Sequence, residues 1–322
     1  MSLVVVTSNR FVDHLNPPGH PERPERAEVM QVVTSRWQES GGAVLDPRAA
    51  TDEDLARVHT PDHIAAITGS RGRASKIDED TFTSPESDEV ARLAAGAVLT
   101  AIDAVLGPFP GTAKAVPYDP GAVPYDRALV MVRPPGHHAE ADKAMGFCLY
   151  NNIAVGAAYA RSRGSARVAV VDYDVHHGNG TQQIFYADPS VLFVSSHQFP
   201  FYPGTGAATE VGSGAGAGLT LNVPLSIGAR DAEVERLYST VVIPKVRDFK
   251  PDLLLISAGF DAHKEDPLGQ LRMTTAGFSR LTKMLVDLAD EVCDGKVVLV
   301  TEGGYDTAAL AECLQAVIDV CR

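Results

Sequence analysis

The sequence predicts a doubly wound α/β fold, with helices on both faces of a mainly parallel sheet. Three observations predict it. Short runs rich in β-branched residues are apolar throughout instead of alternating, which marks strands buried on both faces. Longer amphipathic stretches separate these runs, so strand and helix alternate along the chain. The residues directly after several runs are unusually polar, as expected where ligands bind beyond the carboxyl ends of parallel strands.

The first run is Leu3–Thr7. It lacks the basic start and long apolar stretch of a signal peptide and reads as a strand. Amphipathic patterning then predicts helices at Arg23–Gln38, Thr60–Thr68 and Ser87–Val105. Strand Ala128–Val132 leads to helix Asn151–Arg163, and strand Val168–Asp172 leads through a polar loop to strand Val191–Ser196. Strand Leu219–Val223 and helix Asp231–Val246 follow. The chain closes on strand Leu253–Ser257, helix Thr274–Cys293, strand Val297–Thr301 and helix Thr307–Val320. Residues 107–126 are rich in proline and glycine and carry Val-Pro-Tyr-Asp twice, at 116 and 123, which reads as a loop insertion. The stretch Gly204–Gly218 reads as a surface loop. No boundary divides these elements, so residues 1–322 are read as a single domain.

Composition excludes whole classes of function. With 45% hydrophobic residues the chain is no disordered protein. A net charge of −13 argues against a protein that binds nucleic acid directly. No apolar run is long enough to span a bilayer, so no membrane is expected. The four cysteines, Cys148, Cys293, Cys313 and Cys321, form no C-x-x-C pair and read as reduced thiols of a cytoplasmic protein.

Four strand ends carry chemistry. After the strand at 128–132 stands Arg133-Pro-Pro-Gly-His137-His138-Ala-Glu140, two adjacent histidines on a stiff turn. After 168–171 comes Asp172-Tyr-Asp174-Val-His176. In an extended chain Asp172, Asp174 and His176 project to one side. Two carboxylates and an imidazole converging there call for a cation. Asp261, after the strand at 253–257, is a plausible third ligand beside Asp174 and His176, giving a nitrogen–oxygen set with an open position. His263 is a further candidate ligand, and other divalent metals fit a set without cysteine. Gly303-Gly304-Tyr305 follows the last strand, its glycines allowing a bend that presents the phenol. Together these groups suit metal-assisted amide hydrolysis: a metal polarises a carbonyl, a histidine moves the proton, and a phenol donates to the oxyanion.

The chain resembles the histone deacetylase superfamily, most closely its class II branch and the bacterial deacetylase-like amidohydrolases. The matching stretches are His20 to Arg26, Arg133 to His138, Gly146 to Asn152, Asp172 to Gly180, Pro203 to Gly206, Ser257 to Asp261, Asp266 to Gly269 and Glu302 to Tyr305, in family order over nearly the whole chain. The resemblance implies the arginase/deacetylase fold, a three-layer α/β/α single domain with a mainly parallel central sheet. It implies one catalytic Zn2+ on Asp174, His176 and Asp261. It implies His137 and His138 as general base and acid, Asp172 orienting His137, and Tyr305 stabilising the tetrahedral intermediate. A structural K+ would be lined by Asp172 and Ser195. Class I relatives carry aspartate where this chain has Asn179, which leaves His138 with an amide partner. Phe147, after Gly146, and Tyr202 match the two aromatics of the substrate tunnel, and Asp80 falls near the rim aspartate. Leu268 stands where the polyamine-selective branch has glutamate, which argues against dedicated polyamine specificity. The implied substrate is an acetylated lysine peptide or protein, or an acetylated amine, and the implied enzyme a zinc-dependent deacetylase. A homo-oligomer is left open. The competing readings are a dinuclear manganese ureohydrolase and a non-catalytic acyl-lysine binding module; the first would want Asp-x-His-x-Asp and leave Gly-Gly-Tyr without a role, and the intact Tyr305 and histidine pair speak against the second.

Overall fold

The structure, a computed structural model, describes residues 2–107 and 125–322. The loop insertion expected at 107–126 lies almost wholly outside them. In chain order the elements are β1 (Leu3–Val6), α1 (Glu25–Glu39), β2 (Ala43–Leu45), α2 (Asp52–Leu55), α3 (Pro61–Thr68), β3 (Ser75–Lys76), β4 (Phe82–Thr83) and α4 (Ser87–Leu106). Then come β5 (Arg127–Val130), α5 (Asn152–Ser162), β6 (Val168–Asp172), α6 (Asn179–Phe185), β7 (Val191–Gln198) and β8 (Thr220–Leu225). The last are α7 (Asp231–Leu237), α8 (Ile243–Phe249), β9 (Leu253–Ala258), α9 (Thr275–Val292), β10 (Val297–Thr301) and α10 (Thr307–Cys321).

Eight strands form one sheet in the order β2-β1-β5-β10-β9-β6-β7-β8, with every pairing parallel. Its inner strands are largely apolar because both faces are covered. Leu3, Val5, Leu129, Val297 and Leu299 pack with residues of α1, α9 and α10. Their alternates Val4, Val6, Ala128, Val130, Val298 and Val300 pack with α4 and α5 on the other face. The result is the three-layer α/β/α arrangement. The strands whose ends carry the candidate chemistry, β5, β10, β9 and β6, are adjacent at the middle of the sheet. Parallel pairing puts their carboxyl ends on one edge, so residues distant in sequence meet there.

The expected strands and helices are present, with shifted ends. Elements not anticipated are short: the edge strand β2, the hairpin β3–β4, and helices α2 and α6, which are too brief for a hydrophobic period to register. The helix expected at Asp231–Val246 is interrupted by one π-helical stretch, Tyr238–Val242, before α8. Pro244 explains the widening: it has no N–H to donate and its ring crowds the carbonyl four residues earlier. Among the described residues, no helix is long and apolar enough to cross a membrane.

Candidate active site

At the end of β6 the chain does not stay extended, as the side-chain alternation had assumed. Asp172 Oδ1 accepts the N–H of Asp174 (3.0 Å), and Asp174 Oδ1 accepts the N–H of His176 (2.9 Å). Each aspartate thus bends the backbone onto its own carboxylate two residues on. The two turns separate the side chains. Asp172 goes to His137, while Asp174 and His176 go to Asp261 at the end of β9. His176 Nδ1 lies 3.1 Å from both Asp174 Oδ1 and Asp261 Oδ2, and Asp261 Oδ1 accepts the N–H of Val175 at 2.9 Å.

One donor atom from each of Asp174, His176 and Asp261 falls within 4.8 Å of the others. Backbone comes unusually close to this group. A Cβ on Gly259 would sit 2.0 Å from Asp174 Oδ2, and one on Gly303 would sit 2.0 Å from Asp261 Oδ2, so neither glycine can carry a side chain. Burial and the Asp174 charge push the Asp261 carboxyl up to about 7. Burial works against charge on His176 as well, but its bonds to Asp174 and Asp261 outweigh this and raise it to about 10. Two crowded carboxylates that draw positive charge to themselves, with one imidazole nitrogen between them, fit a divalent cation. A nitrogen–oxygen set of this kind suits zinc.

The adjacent histidines follow β5. Their turn is fixed from β10: Glu302 Oε2 accepts the N–H groups of Gly136 (2.6 Å) and His137 (3.1 Å), and Ser257 Oγ donates to Glu302 Oε1 (3.1 Å). His137 Nδ1 lies 2.9 Å from Asp172 Oδ2, and His138 Nδ1 lies 2.7 Å from Asn179 Oδ1, with the two rings 4.0 Å apart. Burial disfavours charge on both. For His137 the Asp172 and Asp174 carboxylates prevail and hold its pKa well above the usual histidine value. For His138 burial prevails, aided by the positive charge of His137 and His176, and its pKa falls well below.

Tyr305 is carried on a turn held from three sides. Gly303 N–H donates to Asp174 Oδ2 (2.8 Å), and Gly304 takes a φ of +120° that a side chain would resist. The two glycines therefore have different tasks: Gly303 allows close approach and Gly304 makes the bend. Asp266 Oδ2 accepts the N–H groups of Tyr305 (2.6 Å) and Asp306 (3.2 Å). The Arg26 guanidinium donates to the carbonyls of Gly304 (2.7 Å) and Glu302 (2.5 Å) and lies 4.9 Å over the Tyr305 ring. Arg26 in turn is 3.2 Å from Glu22, whose carboxylate also takes a two-pronged bond from Arg133 (2.7 and 2.9 Å). Burial raises the Tyr305 phenol well above its ordinary value, and Arg26 works against that.

Arg26, Glu22, Asp266 and Glu302 stand in stretches the sequence reading quoted, yet none was given a role there. The available signal was charge beside apolar surroundings: Glu22, just ahead of α1, and Arg26, in its first turn, sit four apart and turn out wholly buried.

Around the opening, Gly146 and Phe147 adopt φ of 57° and 69°, and the Phe147 N–H donates to Thr81 Oγ1 (3.1 Å). The Phe147 ring meets Tyr305 edge-on at 5.8 Å, and Tyr202 meets His138 edge-on at 5.1 Å. Phe201, not singled out from sequence, stacks on His176 at 5.3 Å. Burial raises the Tyr202 phenol, and the Asp80 charge raises it further; the Asp80 carbonyl lies 2.9 Å from His20 Nε2, whose ring meets Phe147 at 4.7 Å. Leu268 is half-buried, and its N–H donates to Asp266 Oδ1 (3.0 Å), so it shares a carboxylate with Tyr305. Ser195 pairs in register with Asp172 across β6 and β7, its hydroxyl 2.9 Å from His197 Nδ1. His263 stands outside the donor group: it is buried, stacked at 6.4 Å on Phe278, with Nε2 3.4 Å from Thr275 Oγ1.

Comparison with known proteins identifies the family and the fold. Residues 20–321 match the histone deacetylase domain. The chain is 38% identical over 312 residues to the histone deacetylase-like amidohydrolase of Pseudomonas aeruginosa, covering 94% of this chain and 76% of that protein. It is 37% identical over 304 residues to a probable deacetylase of Archaeoglobus fulgidus, covering 94% and 80%. Histone deacetylase 15 of Arabidopsis thaliana is 42% identical over 308 residues, or 94% of this chain; the match spans 52% of that longer protein. Among solved structures, the crystal structure of the HDA15 HD domain superposes with a TM-score of 0.89 at 39% identity, covering 99% of this chain and 89% of that one.

Proposed function

The chain belongs to the histone deacetylase family, and from that premise we propose that it is a zinc-dependent hydrolase removing acetyl or related acyl groups from lysine side chains or alkylamines. One observation carries the reading: the Asp174–His176–Asp261 donor group, the histidine pair and Tyr305 converge from four adjacent strand ends. When bound by that group, zinc supplies Lewis-acid polarisation of the acyl carbonyl and a lowered pKa for water.

The protein's own groups do the rest. His138, whose Nδ1 partner is an amide, takes the proton of the attacking water at Nε2 and returns it to the leaving amine, so the base role that the resemblance implied for His137 passes to His138 in this proposal. His137, on the Asp172 carboxylate, holds a proton and hydrogen-bonds the developing charge. The Tyr305 hydroxyl donates to the oxyanion from a turn held by Arg26 and Asp266. Phe147 and Tyr202 flank an alkyl stem and exclude water from it. Gly146 lets this wall approach closely, since a Cβ there would meet His138 at 2.5 Å. Asp80 accepts hydrogen bonds from the substrate backbone at the rim, and Leu268 presents an uncharged face there. Asp172 and Ser195, neighbours in the sheet, line a K+ site. All four cysteines are free and buried, which supports a reducing compartment such as the cytoplasm.

The test is turnover by the zinc-loaded protein across acetyl-lysine, longer acyl-lysine and acetylpolyamine substrates, with a hydroxamate as chelating inhibitor. Hydroxamate-sensitive release of acetate from acetyl-lysine peptides is expected. Binding of acyl-lysine with no turnover would replace the proposal with a binding module. Activity that needs two manganese ions per chain would replace it with a ureohydrolase.

A further inference from the structure

Asn179 faces the Nδ1 of His138 and nothing in an amide by itself decides which end it presents there, oxygen or NH2. The decision comes from its far side. Asn179 Nδ2 donates to Glu140 Oε1 at 2.9 Å. A carboxylate only accepts, so it must face the NH2 group, and that turns Oδ1 toward the imidazole at 2.7 Å. Oxygen at that position demands a proton on His138 Nδ1. The neutral ring is then protonated on Nδ1 and keeps its lone pair on Nε2. The flipped amide would set Oδ1 against the Glu140 carboxylate, acceptor against acceptor.

Glu140 is anchored for this. Its N–H donates to the carbonyl of Lys143 (2.9 Å). Its carbonyl accepts from His59 Nδ1 (3.0 Å), and that ring's orientation is fixed because His59 Nε2 accepts the N–H of Asn151 (2.9 Å). The other acceptors near the Asn179 NH2 group are the His138 carbonyl and Met145 Sδ, each 3.5 Å away, at the long limit of a hydrogen bond and weaker than the 2.9 Å contact to the carboxylate.

We propose that Glu140 is a positioning residue for the proton-carrying histidine: through the Asn179 amide, a half-buried carboxylate two residues after His138 fixes the tautomer of the His138 ring. The histidine pair therefore has a carboxylate behind each member, Asp172 directly behind His137 and Glu140 one amide removed from His138. The inference rests on the hydrolase reading for what His138 does, but not for which nitrogen carries its proton.

The experiment uses the zinc-loaded full chain labelled with 15N-histidine, as wild type, Glu140→Ala and Glu140→Gln, with the His138 ring signals assigned by their loss in His138→Asn. The wild type should show the Nδ1-protonated form. E140A should lose it, and kcat should fall roughly ten- to a hundredfold, the scale of losing a group that orients a catalytic imidazole, with KM within about twofold. E140Q should restore both signals and kcat, because its carbonyl oxygen can accept from Asn179 in place of the carboxylate. An unchanged His138 tautomer in E140A, or an E140Q no better than E140A, overturns the proposal. A wild type with no turnover on any acyl-lysine substrate overturns the hydrolase reading instead, and the ring signals still decide this one.

Discussion

Two buried charge clusters flank the turn that carries Tyr305, and they are built on opposite plans. On one side Glu22 sits between Arg26 and Arg133, all three wholly buried, the carboxylate bonded to both guanidiniums. On the other side Asp174 and Asp261 crowd one imidazole. The first cluster brings its own countercharge. Burial works against the Glu22 charge, but Arg133 and His14 outweigh it and hold the carboxyl well below the usual range. The second draws charge in: Asp261 is pushed up and His176 with it. A satisfied cluster holds a shape, and an unsatisfied one is a candidate site. The difference separates scaffold from chemistry among side chains that composition alone would count together as buried ions.

The contrast can be broken by substitution. The largest effect is expected from the site. Asp174→Asn or Asp261→Asn should cost several kcal/mol of transition-state stabilisation, on the order of a thousandfold in turnover or more, with zinc stoichiometry by elemental analysis falling in parallel. Yet the zinc-free Asp261→Asn protein should melt no lower than the zinc-free wild type, because it loses a like-charge contact. A marked drop in its melting temperature would erase the distinction between the clusters.

The scaffold cluster should answer in the opposite sense. Glu22→Gln leaves two guanidiniums buried without their carboxylate and should cost about 3–5 kcal/mol in denaturant unfolding. Next in size, Tyr305→Phe should keep zinc and fold while kcat falls roughly a hundred- to a thousandfold, or about 2.7–4 kcal/mol. Normal kcat in that variant would remove the phenol from the reaction.

The smallest effect is the acid dependence. The folded pKa of Glu22 is depressed, so its contribution is complete above the unfolded carboxyl value of about 4.3 and is lost as pH falls from there through the folded pKa. Stability curves should therefore fall more steeply below about pH 4 in wild type than in Glu22→Gln. Parallel curves would mean that the Arg133 pairing adds nothing to stability.

Much of the site was legible because each motif hangs directly on a strand end. The apolar runs located the strands, and their parallel order put Asp174, Asp261 and Tyr305 on one edge of the sheet. The Asp-x-Asp-x-His spacing pointed to residues that do converge with Asp261, but for the wrong local reason. It expected an extended chain with three side chains on one face, where two carboxylate-capped turns instead divide Asp172 from the donor group. The Gly-Gly-Tyr turn was expected to bend, and the bend is there, but Gly303 serves the approach to Asp261. Arg26 and Asp266 were invisible as actors because their partners are main-chain groups 278 and 39 residues away in sequence. The same is true of Phe201, an aromatic beside an expected tunnel residue, whose stacking on His176 needs the fold.

By itself, then, the sequence determined the sheet, its layers and the identity of the groups at its carboxyl edge. These follow from local periodicity and from residue types that have few other uses when they sit beside buried strands. The tertiary structure decided which charges are neutralised and which are not, and which end of an amide faces an imidazole. Those are pairwise matters of a few ångströms between residues far apart in the chain. Asn179 is the clearest case: its identity says only that His138 lacks a direct carboxylate, while the fold brings Glu140 to its other side. Hydrogen-bond polarity, unlike hydrophobic period, leaves no trace in sequence until both partners are in position.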